Sequence, residues 1–204
     1  MMQQLIIKEH GTQEPPILAA VEAEGFTVFR QGHWNLNIII ARNPQGQPNE
    51  FDDFLHVCYR RMGEWREDIY RCTADPGKYW LGRPMRTAGT AIWNHPQQSR
   101  GAFAIGLHKG EYKCLRQIKP IKVWRDANKD EVHDMGGIEH DAWAIQIHRA
   151  SAYRTSTVVD KWSAGCCVVA DPAAFEVFMG LCNLQVRQGW GSTFTVTCLE
   201  GKWL

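Results

Sequence analysis

The hydrophobic pattern of residues 34–148 is mainly that of β-strands. Short apolar runs, some of them alternating with polar residues, are separated by clusters of Gly, Pro, Asn and Asp. In the last of these runs, bulky residues alternate with smaller or polar ones, so His148 should end its strand on the face opposite Ile147. The pattern predicts strands at 34–41, 54–60, 102–108, 121–125 and 142–148.

Helical spacing occurs near both ends of the chain. Residues 15–25 begin with two prolines and stop at a glycine, which predicts a short amphipathic helix. Residues 171–187 predict a longer helix, with Asp171 as its N-cap and Gly189 beyond its end, followed by a strand at 193–199. The sequence therefore predicts an α+β fold in which a strand-rich mixed sheet or sandwich is closed by one long C-terminal helix.

Composition limits the size of the fold and the class of partner. The 204 residues, 44% of them hydrophobic, fit one main domain over 31–204, preceded by an N-terminal segment over 1–30 that holds the short helix. Lys and Arg total 23 and Asp and Glu total 22, so charge gives no support for binding nucleic acid. Seven cysteines without a secretory context predict mostly reduced thiols.

Targeting signals are not evident in the sequence. The chain starts without the apolar run of a signal peptide, and no stretch reaches the roughly 18 apolar residues of a membrane span. We therefore expect synthesis in the cytoplasm and no membrane span.

The segment Trp-Ser-Ala-Gly-Cys-Cys-Val-Val-Ala, which begins at Trp162, has the features of a nucleophile turn. Its small residues let a substrate carbonyl approach Cys166, and backbone N–H groups at the turn can face the oxyanion that forms. A thiol also needs a neighbouring base, and His148 is the candidate. The sequence predicts a cysteine nucleophile served by a histidine.

The spacing of these residues resembles the L,D-transpeptidase catalytic domain, whose members cross-link or trim bacterial peptidoglycan. That family has a His, about 14 to 17 residues, then Ser or Thr, His, Gly and Cys. Here 14 residues separate His148 from Ser163-Ala164-Gly165-Cys166. A weaker match covers the strand and small-residue turn at 70–77 and a threonine- and glycine-containing loop at 87–90.

The resemblance implies a role for each matched residue. Cys166 would attack the carbonyl of a meso-diaminopimelate or similar residue in a stem peptide, giving a thioester that an amine or water resolves. His148 would be the general base, oriented by the backbone carbonyl of Arg149. The amides of Gly165 and Cys166 would form the oxyanion site, and Ser163 would hold the turn or a polar group of the substrate. No cofactor is required by this chemistry.

This chain departs from the family pattern at three places. Ala164 stands where the second His is expected, Arg149 stands where a glycine often follows the first, and Cys167-Val168 replaces the residues that normally follow the cysteine. The predicted reaction is therefore acyl transfer or hydrolysis of the L,D-transpeptidase, L,D-carboxypeptidase or endopeptidase type. Without an export signal, the protein would reach the periplasm or cell wall by non-classical delivery, as phage lysis proteins and injected toxins do.

Three aromatic residues lie on or between the two catalytic segments and are candidates for the walls of a substrate groove. They are Trp143, Tyr153 and Trp162.

Two metal sites are alternatives that the sequence leaves open. Oxygen side chains with the spacing of a calcium loop occur at Asp126, Asn128, Asp130 and Asp134, although Glu131 occupies the usual glycine position. A zinc peptidase is a rival mechanism, although its candidate ligands match no compact zinc motif. Those candidates are His133, Asp134, Glu139, His140, Asp141 and His148.

A different class of function also fits the sequence. With Ala164 in the motif, the same fold could serve as a catalytically degenerate module that binds peptidoglycan or another peptide, for example on a virion or secretion device.

Overall fold

A computed structural model describes residues 3–201 of the chain. Residues 1, 2 and 202–204, at the ends of the predicted N-terminal segment and domain, lie outside the described residues. The strands are β1 (Leu5–Gly11), β2 (Asn37–Arg42), β3 (Asp53–Arg61), β4 (Glu64–Thr73), β5 (Thr90–Trp93), β6 (Gln97–His108), β7 (Tyr112–Gln117), β8 (Ile121–Asp126), β9 (His140–Ala142), β10 (Gln146–Arg149), β11 (Cys167–Val169) and β12 (Thr193–Glu200). The helices are α1 (Pro16–Ala23), α2 (Lys78–Gly82) and α3 (Pro172–Arg187).

Nine strands form one sheet that closes on itself. Their order is β1-β4-β11-β10-β7-β6-β12-β2-β3, and β3 also pairs with β4. The sheet is mixed: β10 is parallel to β11 and β12 is parallel to β2, while the other neighbours are antiparallel. The protein is thus a strand-rich α+β fold, as the sequence predicted. The closure of its mixed sheet into a barrel-like form was not part of that prediction.

A second sheet has three strands in the order β5-β8-β9, and these strands alternate along the chain with strands of the large sheet. Residues 143–145 carry the chain from β9 of the small sheet to β10 of the large one. This passage brings the end of the small sheet next to the strand that holds His148.

The two longer helices cover different parts of the sheet. Phe175 and Phe178 of α3 are fully buried in the main core, together with residues of nearly every strand of the large sheet. Ile17 and Leu18 of α1 pack in a separate cluster with Ile39 of β2 and its neighbours. Burial of each such side chain contributes about 1.5–3 kcal/mol, so both helices are held by their apolar faces.

Both predicted helices are confirmed. The Asp171 carboxylate accepts a hydrogen bond from the Ala174 N–H at 2.9 Å, which is the predicted N-cap, and Gly189 follows the helix with φ 82°. Neither these helices nor α2 is long and apolar enough to cross a membrane, within residues 3–201.

Some predicted strand boundaries are wrong. The strand predicted at 142–148 is broken, because Ala144 has φ 69°, a left-handed conformation that ends the pairing. The strand predicted at 34–41 is β2, which begins at Asn37 and not at Trp34, because Trp34 has φ 63°. The sequence prediction also missed β1, β5 and β7, and it indicated only the end of β4, through the resemblance at 70–77.

Candidate active site

The strands that carry His148 and Cys166 are direct neighbours. In the parallel pair β10–β11, Ile147 lies opposite Cys167 and His148 opposite Val168. Ile147 and Cys167 both face the main core, so by alternation His148 and the residue before Cys167 project to the other face. The segments of His148 and Cys166 therefore lie side by side, as the sequence predicted. Cys166, which immediately precedes β11, also packs against the buried cluster that contains Val168, so it lies on the same side of the sheet as His148.

His148 is held in a defined tautomer. Its ring is 3% exposed, and Nδ1 lies 2.8 Å from the backbone carbonyl oxygen of Arg149. Because a carbonyl only accepts hydrogen bonds, Nδ1 carries the hydrogen and Nε2 keeps a lone pair, the form that a general base requires. Burial lowers the pKa of His148 to about 3, so the ring is neutral near pH 7.

A polar and aromatic shell fixes the His148 ring, and sequence reasoning missed it. His108 stacks on His148 with ring centroids 4.3 Å apart, and its Nδ1 lies 2.7 Å from Gln146 Oε1. The Tyr112 hydroxyl donates to the same Arg149 carbonyl at 3.2 Å, and the Arg149 guanidinium lies 3.9 Å from the Tyr112 ring centroid. His108 and Tyr112 come from the β6–β7 hairpin and have no motif in common with His148, so no local signal marks them.

The Cys166 thiol is half-buried and neutral in this state. Its sulfur lies 4.0 Å from the Ala144 carbonyl oxygen. Burial raises the pKa of Cys166 to about 11, although a hydrogen bond from the Gln146 backbone opposes the shift. Within the described residues no hydrogen bond joins this thiol to the His148 ring, so a thiol and a neutral imidazole, not an ion pair, occupy the free protein.

The turn before Cys166 is fixed by Ser163, whose side chain is fully buried. Ser163 Oγ accepts a hydrogen bond from the Gly165 N–H at 3.1 Å and donates one to the Cys166 carbonyl at 2.8 Å. Trp93 Nε1 donates to the Gly165 carbonyl at 2.9 Å. Ser163 thus holds the turn. The predicted oxyanion role of the Gly165 amide needs correction, because this N–H already serves the turn, and the Cys166 amide remains as the donor.

Replacing Gly165 with alanine is expected to destabilise the protein and displace Cys166. Gly165 has φ 113°, and an added Cβ would lie 2.5 Å from the Ala91 carbonyl oxygen. We expect the free energy of unfolding to fall by roughly 1–3 kcal/mol in urea titrations. Gly191→Ala is the control, because Gly191 also has a positive φ, 91°, but open space around it. Equal losses in both variants would show that the contact with Ala91 is unimportant.

Cys166 lines a pocket of about 140 Å³ at the small sheet, formed with strands β5, β8 and β9 and the loops next to them. Trp143 forms part of its wall, as predicted, but Tyr153 and Trp162 do not, and Tyr153 is 96% exposed. A larger cavity of about 700 Å³ lies elsewhere, away from Cys166 and His148. The other residues that line the smaller pocket are Met85, Arg86, Gly89, Thr90, Ala91, Arg125, Ala142, Ala144, Ile145 and Ala164.

In the predicted calcium loop, carboxylate oxygens accept hydrogen bonds from other residues of the same loop. Asn128 Nδ2 donates to Asp130 Oδ2 at 3.0 Å and to Asp134 Oδ2 at 2.7 Å, while Asp126 Oδ2 accepts from the Asp134 N–H at 3.2 Å. Within residues 3–201 no three His, Cys, Asp or Glu side chains are arranged to hold a metal ion. Calcium binding stays a prediction, and a Ca²⁺ titration followed by the thermal unfolding temperature tests it.

The candidate zinc ligands are engaged in separate contacts. His133 Nε2 donates to the Pro76 carbonyl at 3.0 Å, Lys122 lies 2.9 Å from Asp141, and Glu139 accepts from Asn94. His148 faces Arg149, as described above. Within residues 3–201, the fold therefore does not bring these side chains together as ligands of one metal ion.

Fold and site together define a strand-rich α+β protein with His148 on one strand and Cys166 immediately before the neighbouring parallel strand. Comparisons with known proteins found no matching protein-family model, curated protein or solved structure.

Proposed function

We propose that the protein is a cysteine-dependent acyl transferase or hydrolase of peptidoglycan stem peptides, of the L,D-transpeptidase type. The observation that carries the proposal is the geometry of His148: it shares a strand face with Cys166, and its Nδ1 donates to the Arg149 carbonyl. That is the arrangement implied by the resemblance of the His148 to Cys166 segment, and it leaves Nε2 free to accept a proton.

The chemistry follows from the protonation states. As the Cys166 sulfur attacks the substrate carbonyl carbon, its proton passes to Nε2 of His148, and the Cys166 amide supports the oxyanion. The carbon–nitrogen bond then breaks, the leaving amine takes the proton from His148, and a thioester remains. Water or another amine attacks the thioester, gives its proton to His148, and the sulfur leaves and is protonated again.

A neutral thiol fits this sequence of steps. Burial raises the pKa of Cys166 and lowers that of His148, so transfer of the proton must accompany the attack on the carbonyl. The Ser163 turn and the stacked His108 ring hold the two groups in place before the substrate binds.

A second candidate is a binding module for peptidoglycan or another peptide. Two observations favour it: Ala164 replaces the second His of the motif, and no hydrogen bond connects the described thiol and imidazole. In this case the pocket beside Cys166 would hold a peptide without cleaving it.

The test is a search for the thioester. The protein is mixed with purified muropeptides, quenched in acid after short times, and measured by intact mass spectrometry and peptide mapping. We expect added mass equal to the muropeptide without its leaving amine, on the peptide that contains Cys166. An adduct on another cysteine would contradict the mechanism. Retention on isolated peptidoglycan, with neither adduct nor changed muropeptide, would favour the binding module.

A further inference from the structure

Two arginines line the pocket that contains the Cys166 thiol. Arg125 belongs to β8, and Arg86 belongs to the loop between α2 and β5. Arg125 Nη1 donates to the Gly89 carbonyl at 3.3 Å, which uses one of its five N–H donors. Within residues 3–201 neither guanidinium forms an ion pair with a carboxylate.

Among residues 3–201, no carboxylate forms an ion pair with either arginine of this pair. No Asp or Glu is among the described residues that line the pocket. Asp126 follows Arg125 in the chain, but its carboxylate is fully buried and accepts from the Asp134 N–H. Burial lowers the pKa of Arg125, and the charge of Arg86 lowers it further, so the two guanidinium groups repel each other. An anion between them would remove that repulsion and gain hydrogen bonds.

We infer that Arg86 and Arg125 form a carboxylate-binding subsite beside Cys166, which selects substrates with a carboxylate next to the attacked carbonyl. The inference rests on the proposed function for its substrate, a peptide. The pocket of about 140 Å³ has room for a small residue and its carboxylate, and the planar carboxylate matches the fork of a guanidinium. The carboxylate belongs either to the chain end or to a side chain, and the experiment separates these sources.

Iodoacetate and iodoacetamide provide a test that needs no peptidoglycan. In both reactions the sulfur of Cys166 forms a bond to the CH₂ carbon, iodide leaves, and the thiol proton passes to His148 or to water. The reagents have nearly the same shape, but only iodoacetate carries a carboxylate. We expect the iodoacetate-to-iodoacetamide rate ratio at Cys166 to be about tenfold higher in the wild type than in Arg86→Gln or Arg125→Gln.

Arg83→Gln is the matched control for this measurement. It removes one positive charge three residues from Arg86, but Arg83 lies over the Tyr79 ring and does not line the pocket. Its rate ratio should equal that of the wild type. Added salt should reduce the advantage of iodoacetate in the wild type. A ratio that is unchanged in both pocket variants would overturn the inference.

Direct binding gives a second measurement if Cys166 reacts with neither reagent. Cys166→Ala protein is titrated with N-acetylalanine, with the α-amide of N-acetylaspartate, and with neutral N-acetylalaninamide. Tighter binding of the first compound assigns a terminal carboxylate, and tighter binding of the second assigns a side-chain carboxylate. Either preference should fall about tenfold in Arg125→Gln. Equal binding of all three, or none, would overturn the subsite.

These outcomes separate the subsite from the proposed function. A carboxylate preference that depends on Arg86 and Arg125, in a protein that leaves every muropeptide unchanged, would keep the subsite and remove peptidoglycan as the substrate. Cleavage of muropeptides without any such preference would support the proposed enzymatic function and contradict the proposed carboxylate-binding subsite.

Discussion

Cleavage or exchange of stem peptides is expected to fall by about 10⁴-fold or more, to the detection limit, when Cys166 is replaced with alanine. The thioester cannot form without the sulfur, and the structure offers no second thiol in the pocket, within the described residues. The measurement is liquid chromatography with mass spectrometry of muropeptides incubated with each protein. Loss of all products in Cys166→Ala would also identify the bond that the wild type cleaves.

Cys182→Ala is the control for this experiment. It removes one thiol, as Cys166→Ala does, but Cys182 is fully buried in α3 and belongs to the main core. It should keep wild-type products once its stability has been checked by thermal unfolding. Full activity in Cys166→Ala would exclude the thioester and direct attention to a mechanism without the thiol.

The Cys166–His148 pair was predictable because its signal is local. Between them, only Arg149 still belongs to a strand, and residues 150–165 form one loop that ends in the turn before Cys166, so the spacing already limits where the chain can return to the sheet. The structure agrees at Ser163, which holds the turn, and at Arg149, whose carbonyl orients the imidazole. The resemblance implied both roles from the same short segment, with a contact to the substrate as the alternative for Ser163.

Other parts of the site depend on contacts between distant segments. Arg86 and Arg125 meet at the pocket because β5, which follows the loop of Arg86, pairs with β8, where Ala91 lies opposite Arg125. His108 reaches His148 through the pairing of β6, β7 and β10. Such pairings arise from tertiary packing, which the periodicity of a single strand does not encode.

Most of strand β4 was missed because its polar residues are buried. It carries Glu67 and Asp68 in its middle, which hides the alternation of a strand. Glu67 accepts from His56 at 2.8 Å and lies 2.9 Å from His10 of β1. Asp68 accepts from the hydroxyls of two tyrosines, at 3.3 and 3.2 Å. Paired polar groups can be buried at little cost, and composition alone does not reveal the partners.

Acid is expected to destabilise the wild-type protein more than His148→Gln. The unfolded chain binds a proton at His148 near pH 6.5, but burial lowers the pKa of the folded state to about 3. The stability that comes from the neutral ring is therefore complete above pH 6.5 and is lost as the pH falls towards 3, by about 1.4 kcal/mol per pH unit. At pH 4 the loss from this group is about 3 kcal/mol.

The measurement is the free energy of unfolding in urea at pH 7 and pH 4 for both proteins. Glutamine can still donate to the Arg149 carbonyl but does not titrate, so the difference between the two pH-dependent losses isolates His148. The other titrating groups are common to both proteins and cancel. Equal losses would mean that the folded ring is protonated as easily as in the unfolded chain. A thiolate–imidazolium pair would require in addition that the pKa of Cys166 lies below that of His148, and rapid reaction of Cys166 with iodoacetamide near pH 7 would reveal it.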